Sequence, residues 1–257
     1  MTEGLDVRTD AGVLRLRIDR PDHLNAMTAP ITDRLAEELE AAAARDDVRV
    51  VLLTGTGAAF SAGADVSGTD AHAGFDVTSL DRANRLVRAV VSLDKPVVAA
   101  VNGVAAGVGC SLAAACDLVV AAESARFVLA FSRIGLMPDG GATATVAAAV
   151  GRVRAMRLAL LGDALSAREA YDAGLASLVV PDASFHEAVE ETLARLAAGP
   201  PLAFAATKKA VNAATLGHFE DALQRERTGQ TILLRTADVA EGMRAFGEKR
   251  APTYHGR

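Results

Sequence analysis

The chain has 257 residues, 51% of them hydrophobic, and a net charge of −5. That length is ample for one large buried core, and the lack of any basic stripe disfavours a nucleic-acid or anionic-membrane partner. Two cysteines, Cys110 and Cys116, sit in apolar alanine-rich sequence and make neither a disulfide framework nor a metal spacing, which points to a reducing, cytoplasmic setting. Residues 13–19 alternate apolar and charged, the mark of a half-buried strand. A loop at 20–23 precedes a helix that Thr28 can cap, with Pro30 in its first turn and Ile31, Leu35 and Leu39 at helical spacing. Residues 48–53 form a continuous apolar strand. A helix follows over roughly 80–93 and stops at Lys95-Pro96. Residues 97–101 are the next buried strand, 109–115 a short apolar helix, and 117–122 and 125–128 two more strands. Alternating strand and helix imply right-handed crossovers in a mostly parallel sheet, an α/β fold.

From about Gly141 the pattern turns helical: 142–150, 152–161, 167–173, 185–198, 202–214, 219–235 and 237–246, with only 178–180 extended. No Ser- or Gly-rich linker separates the halves, so one folded unit is expected. The last helices carry more apolar surface than a single helical layer buries, which suggests packing against another subunit. The N-terminus lacks a basic-then-apolar signal pattern, and the apolar stretch 112–122 contains Asp117 and is too short to span a bilayer.

Two glycine-rich turns stand out, each after an apolar strand: Gly55-Thr56-Gly57 through Ala62-Gly63-Ala64-Asp65, and Asn102-Gly103 through Gly107-Val108-Gly109. Trimmed side chains bare backbone N–H groups there, and a helix start adds partial positive charge. Two such turns facing each other can hold one developing negative charge, as an oxyanion hole does. Nucleotide-binding and hydrolase signatures are absent: there is no P-loop, no G-x-S-x-G, no G-x-G-x-x-G after a strand and no H-E-x-x-H. The five histidines are scattered, so no metal cluster is expected.

Several phrases occur in order: Leu24-Asn25-Ala26-Met27, Ala59-Phe60-Ser61-Ala62-Gly63-Ala64-Asp65, Lys95-Pro96 through Asn102-Gly103, and Ala115-Cys116-Asp117-Leu118. They are followed by Ile134-Gly135-Leu136-Met137-Pro138-Asp139-Gly140-Gly141, Leu161-Gly162 through Gly174-Leu175, and Glu241-Gly242-Met243 through Lys249-Arg250. Together they resemble the crotonase superfamily of enoyl-CoA hydratases and isomerases along nearly the whole chain. The resemblance implies a spiral of ββα units over 1–195 and a C-terminal helical region over 196–257 that drives formation of a homotrimer or a dimer of trimers. It also implies an acyl-CoA substrate and no added cofactor, coenzyme A being part of the substrate. The oxyanion-hole donors fall by motif position on the backbone N–H groups of Ala64 and Val108. The family often has glycine where Val108 stands. Substrate and coenzyme A contacts are implied at Leu24, Ala26, Ala62, Asp65, Val66, Gly107, Ser111, Phe131, Phe246 and Lys249, the last two offered by a neighbouring subunit. Lys208 and Lys209 are further candidates for the coenzyme A phosphates.

The carboxylates depart from the family pattern. Hydratases of the family carry two glutamates, at the places of Ser111 and Phe131 here, and both are missing. Asp139 is the acid left in that region. Read locally, it is a turn aspartate capping a helix at Gly141; the resemblance makes it the acid/base of an enoyl-CoA isomerase. One carboxylate moving a proton between C2 and C4 suffices for a double-bond shift. Hydration asks one group to activate water and another to protonate C2. Asp139 is low for such a base at its free pKa of about 3.9, but Phe131, Leu136 and Met137 are placed to desolvate it and raise that value. Two alternatives stay open: a hydratase using Asp139, Ser111 and water, and a catalytically silent acyl-CoA-binding subunit. Asp65 and Asp117 read as turn-orienting acids. Residues 68–78, with His72 and Asp76, read as a solvated loop that can also cover an acyl chain.

Overall fold

A computed structural model describes residues 2–66 and 76–257. His72 and most of the loop around it lie outside the described residues. Strands β1 (Leu5–Asp10), β2 (Val13–Ile18), β3 (Val50–Gly55), β5 (Val97–Val101), β7 (Leu118–Ala122) and β10 (Leu178–Val180) form a six-stranded sheet in the order β1-β2-β3-β5-β7-β10. Only the β1–β2 hairpin is antiparallel. A second sheet, β4-β6-β8-β9, is made of three-residue strands: Ala59–Ser61, Val104–Ala106, Arg126–Val128 and Ala164–Ser166. The chain goes from β3 to β4 to helix α2 (Val77–Ser92), then from β5 to β6 to α3 (Val108–Ala115), then from β7 to β8 and a 3-10 turn, Ala130–Ile134. Each circuit places one strand in each sheet and then a helix or turn. This is the ββα spiral.

Both faces of the large sheet are covered, which explains the unbroken apolar run of β3. Val51 and Leu53 join the main core with Leu35 and Leu39 of α1 (Ala29–Ala42) and Leu86 and Val90 of α2. Val50 and Leu52 face the other way, onto Val189 and Leu193 of α6 (Phe185–Ala198). The remaining helices are α4 (Ala142–Leu161), α5 (Ala167–Ala173), α7 (Pro201–Thr215), α8 (Phe219–Leu233) and α9 (Ala237–Gly247).

Several expectations change in detail. The helix at 29–42 starts after Thr28, but the Thr28 side chain makes no capping bond. Asp76 is exposed and caps α2, its carboxylate accepting from the N–H groups of Thr78 and Ser79. Residues 164–166 are extended as β9, in addition to 178–180 as β10. The two helical patterns at 142–150 and 152–161 are two helices as expected, joined within α4 at Gly151, whose φ 76° and ψ 158° are not helical. Position 195 falls inside α6. Among the described residues no helix is long and apolar enough to cross a membrane.

Candidate active site

Pairing of two very short strands brings the two glycine turns together. β4 and β6 run parallel, with Ala59 opposite Val104 and Ser61 opposite Ala105, so the segments leaving them emerge side by side. Gly63 sits at the contact with φ 97°. A Cβ there would lie 2.8 Å from the Ala106 carbonyl oxygen and 3.2 Å from the Val108 nitrogen. Glycine is therefore required by both conformation and space. Gly109 is required by space alone, since a Cβ would strike the Ser61 carbonyl oxygen.

The orientation of each bared N–H follows from its neighbours. The Met27 N–H donates to the Gly63 carbonyl (2.7 Å) and the Asp65 N–H donates to the Met27 carbonyl (3.0 Å). Extended backbone alternates its bonding direction, so the Ala64 N–H between them points away from Met27. Val108 is the first residue of α3, whose opening N–H groups have no intrahelical acceptor. Gly107 before it, at φ 52°, offers no side chain. Among the described residues neither the Ala64 nor the Val108 N–H has a partner.

Asp139 lies beside these donors. Ala64, Val108 and Asp139 together line two adjoining cavities of about 180 and 130 Å³. Asp139 is 4% exposed. Its Oδ2 accepts a 2.8 Å bond from Gln230 Nε2, and its Oδ1 has no partner. Burial pushes the carboxyl up to about 7; the Gln230 bond pulls it down, and the charge of Glu226 pushes it up. Asp139 does not cap α4. The carboxylate of Glu226 takes that place, accepting from the Gly141 N–H (2.7 Å), the Thr143 N–H (2.8 Å) and the Thr143 hydroxyl (2.5 Å).

The two cavities differ in character. The larger lies among Thr28, Thr32, Ser79 and Arg82, with Asp65 at its edge. The smaller is walled by Phe131, Ile134, Leu136 and Phe246. Ala62, Val66 and Gly107 also line the smaller cavity. Phe246 arrives on α9, which packs against the 3-10 turn so closely that a Cβ on Gly242 would lie 2.6–2.7 Å from the Ile134 backbone. Phe246 thus reaches the cavity of its own chain, although it is 63% exposed. Leu24, Ala26, Ser111 and Lys249 line neither cavity.

The other acids are tied elsewhere. Asp65 pairs with Arg20 at 2.8 Å, and Asp117 accepts from the Val97 N–H and from Lys208. Lys208 also donates to the Val90 and Lys95 carbonyls, and Lys209 pairs with Asp94. Lys208 is thereby structural rather than free for phosphates, whereas Lys209 sits in an exposed surface pair. Among the described residues no group of three or more His, Cys, Asp or Glu is placed to hold a metal ion.

Residues 8–257 match the family model for enoyl-CoA hydratase/isomerase. The chain belongs to the enoyl-CoA hydratase/isomerase family. It is 38% identical over its whole length to the 1,2-epoxyphenylacetyl-CoA isomerase of Escherichia coli, covering 100% of both chains. It is 42% identical to a probable enoyl-CoA hydratase of Rhodobacter capsulatus, over 96% of this chain and 95% of that one. An enoyl-CoA hydratase crystal structure from Mycobacterium avium subsp. paratuberculosis superimposes with a TM-score of 0.94 at 48% identity, over 99% of this chain and 100% of that one. The chain is an enzyme of the crotonase type.

At the places of the two glutamates of family hydratases, this member has Ser111 and Phe131. The Ser111 hydroxyl is buried and donates to the Asp139 carbonyl (2.8 Å), so it fastens the turn rather than facing a substrate. Phe131 presents an apolar wall. Glu226 and Gln230 are site residues that the sequence reading missed. They lie four apart on α8, in line with Phe219, Ala222 and Leu223, and all five are buried. A polar pair interrupting a buried stripe at helical spacing was the available signal.

Proposed function

We propose that this enzyme is an acyl-CoA double-bond isomerase. The Ala64 and Val108 N–H groups hold the thioester oxygen, and Asp139 Oδ1 takes a proton from C2 of a 3-enoyl-CoA and returns one to C4. Charge develops on the thioester oxygen as the dienolate forms, where the two fixed donors act without reorganising. The reaction balances in itself, since one proton leaves and one returns, so it needs no cofactor and no metal. The observation that carries the reading is a single buried, half-unpartnered carboxylate beside both donors. Its value of about 7 suits it both to accept and to release a proton near neutrality.

The likeness to the probable enoyl-CoA hydratase of Rhodobacter capsulatus favours a second reading, hydration. Against it, Ser111 is committed to the main chain and Glu226 to the start of α4. No second carboxylate among the described residues lines the cavities except Asp65, which Arg20 holds.

Coenzyme A contacts are proposed at Leu24, Ala26, Ala62, Val66, Phe246 and Lys249. Apolar side chains exposed along α4, Val153, Met156 and Leu160, support assembly into a homotrimer or a dimer of trimers through this helix and the C-terminal region. Unpaired cysteines fit a cytoplasmic setting.

The test is turnover of a 3-enoyl-CoA and, separately, of a 2-enoyl-CoA in ¹⁸O-water with analysis of the products. The 3-enoyl-CoA is expected to give a 2-enoyl-CoA free of ¹⁸O, and the 2-enoyl-CoA to take up none. Conversion of the 2-enoyl-CoA to a 3-hydroxyacyl-CoA carrying ¹⁸O would make the enzyme a hydratase, and binding of both thioesters without turnover would make it a silent subunit.

A further inference from the structure

The turn that carries Asp139 is clamped from two helices. Ser111 on α3 donates to the Asp139 carbonyl, and Glu226 on α8 accepts from the Gly141 N–H. Gly140 and Gly141, at φ 63° and 77°, fold the chain sharply between these holds. Both contacts act on the backbone. Gln230, one turn along α8 from Glu226, is the side chain that bonds the carboxylate itself. Its amide cannot be turned over without loss. The Met137 N–H donates to Oε1 at 3.1 Å, which fixes Oε1 as the acceptor end and Nε2 as the donor end facing Asp139 Oδ2. Gln230 is fully buried, so no water competes for either contact.

We infer that Gln230 is a positioning residue: it anchors Asp139 Oδ2 so that Oδ1 alone, the oxygen left without a partner, carries the proton during the double-bond shift. The inference rests on the reading of Asp139 as acid/base. A carboxylate free to rotate would present either oxygen and lose the proton to the wrong one. One held by an amide donor on a single oxygen presents the same atom in both half-reactions. The donated bond also favours the ionised form, offsetting part of the burial and the repulsion from Glu226. Among the described residues, the other charged groups facing this region are Arg82 from α2, Asp65 after β4, held by Arg20, and Arg133 from the 3-10 turn, which donates to the Gly162 carbonyl.

The experiment compares wild type, Asp139→Asn, Gln230→Leu and Gln230→Glu in 3-enoyl-CoA isomerisation from pH 5 to pH 9, with folding followed by circular dichroism. Gln230→Glu keeps the volume and an acceptor for the Met137 N–H, so it serves if the leucine variant fails to fold. Ionised, it cannot donate to Asp139 and adds a like charge. Both Gln230 variants are expected to lower kcat about ten-fold with KM within about two-fold. Both are also expected to move the midpoint of the kcat/KM profile upward by about one pH unit. A purely packing role would leave that midpoint in place. If Asp139→Asn is inactive while a folded Gln230 variant keeps the wild-type kcat and midpoint, the inference fails and the acid/base reading stands. If Asp139→Asn stays active, the acid/base reading itself fails.

Discussion

Replacing Asp139 with asparagine should stabilise the protein at alkaline pH. The folded carboxyl sits near 7 against an ordinary value of 3.8, because it is buried and lies near the charge of Glu226, which outweigh the Gln230 bond. Between those values the folded state keeps a proton that the unfolded chain has released, so stability falls as pH rises through the window. Raising the carboxyl from 3.8 to about 7 is worth about 4 kcal/mol, nearly all of it lost by pH 8. Asparagine has almost the same shape, can still accept from Gln230, and carries no charge to bury. Its stability relative to wild type should therefore grow by about 3 kcal/mol between pH 5 and pH 8. Urea unfolding of both proteins at the two pH values measures this, and Glu226 is common to both. A stability difference that is the same at pH 5 and pH 8 would refute the claim that Asp139 is held in a desolvated, raised state. The expected gain in stability at a cost in activity is the usual mark of a strained catalytic group.

Val108→Pro removes one of the two proposed oxyanion-hole donors, at the first residue of α3, where proline fits a helix. A drop of about 10²–10³ in kcat/KM is expected with the fold retained by circular dichroism. Glu226→Gln takes away a charge that pushes Asp139 up, so the midpoint of the kcat/KM profile should move to lower pH. Gly242→Ala forces a Cβ onto the Ile134 backbone. It should cost about 1–3 kcal/mol in urea unfolding and raise KM as α9 and Phe246 shift from the smaller cavity.

The two turns were legible because glycine leaves an unmistakable mark where φ is positive and backbones touch, as at Gly63 and Gly107. The device that aligns them was not. β4 and β6 are three residues each, too short to show a period of two, and their pairing is non-local. Asp139 was legible as a candidate only through the resemblance; locally it looked like a helix cap. The true cap, Glu226, is 85 residues further along the chain from Gly141. Polar residues on a late helix read as solvated until packing buries them, which hid Glu226 and Gln230. Lys208 fails in the opposite sense. A lysine suggests an exposed cation, yet this one is held by two carbonyls and Asp117.

The central claim is that one carboxylate, Asp139, moves the proton. The most direct measurement is the rate of 3-enoyl-CoA isomerisation by Asp139→Asn, alongside its binding of the coenzyme A thioester. The account predicts thioester affinity within about three-fold of wild type and a loss of at least about 10³ in kcat, as removal of the only proton carrier requires. Isomerisation within ten-fold of wild type would contradict it.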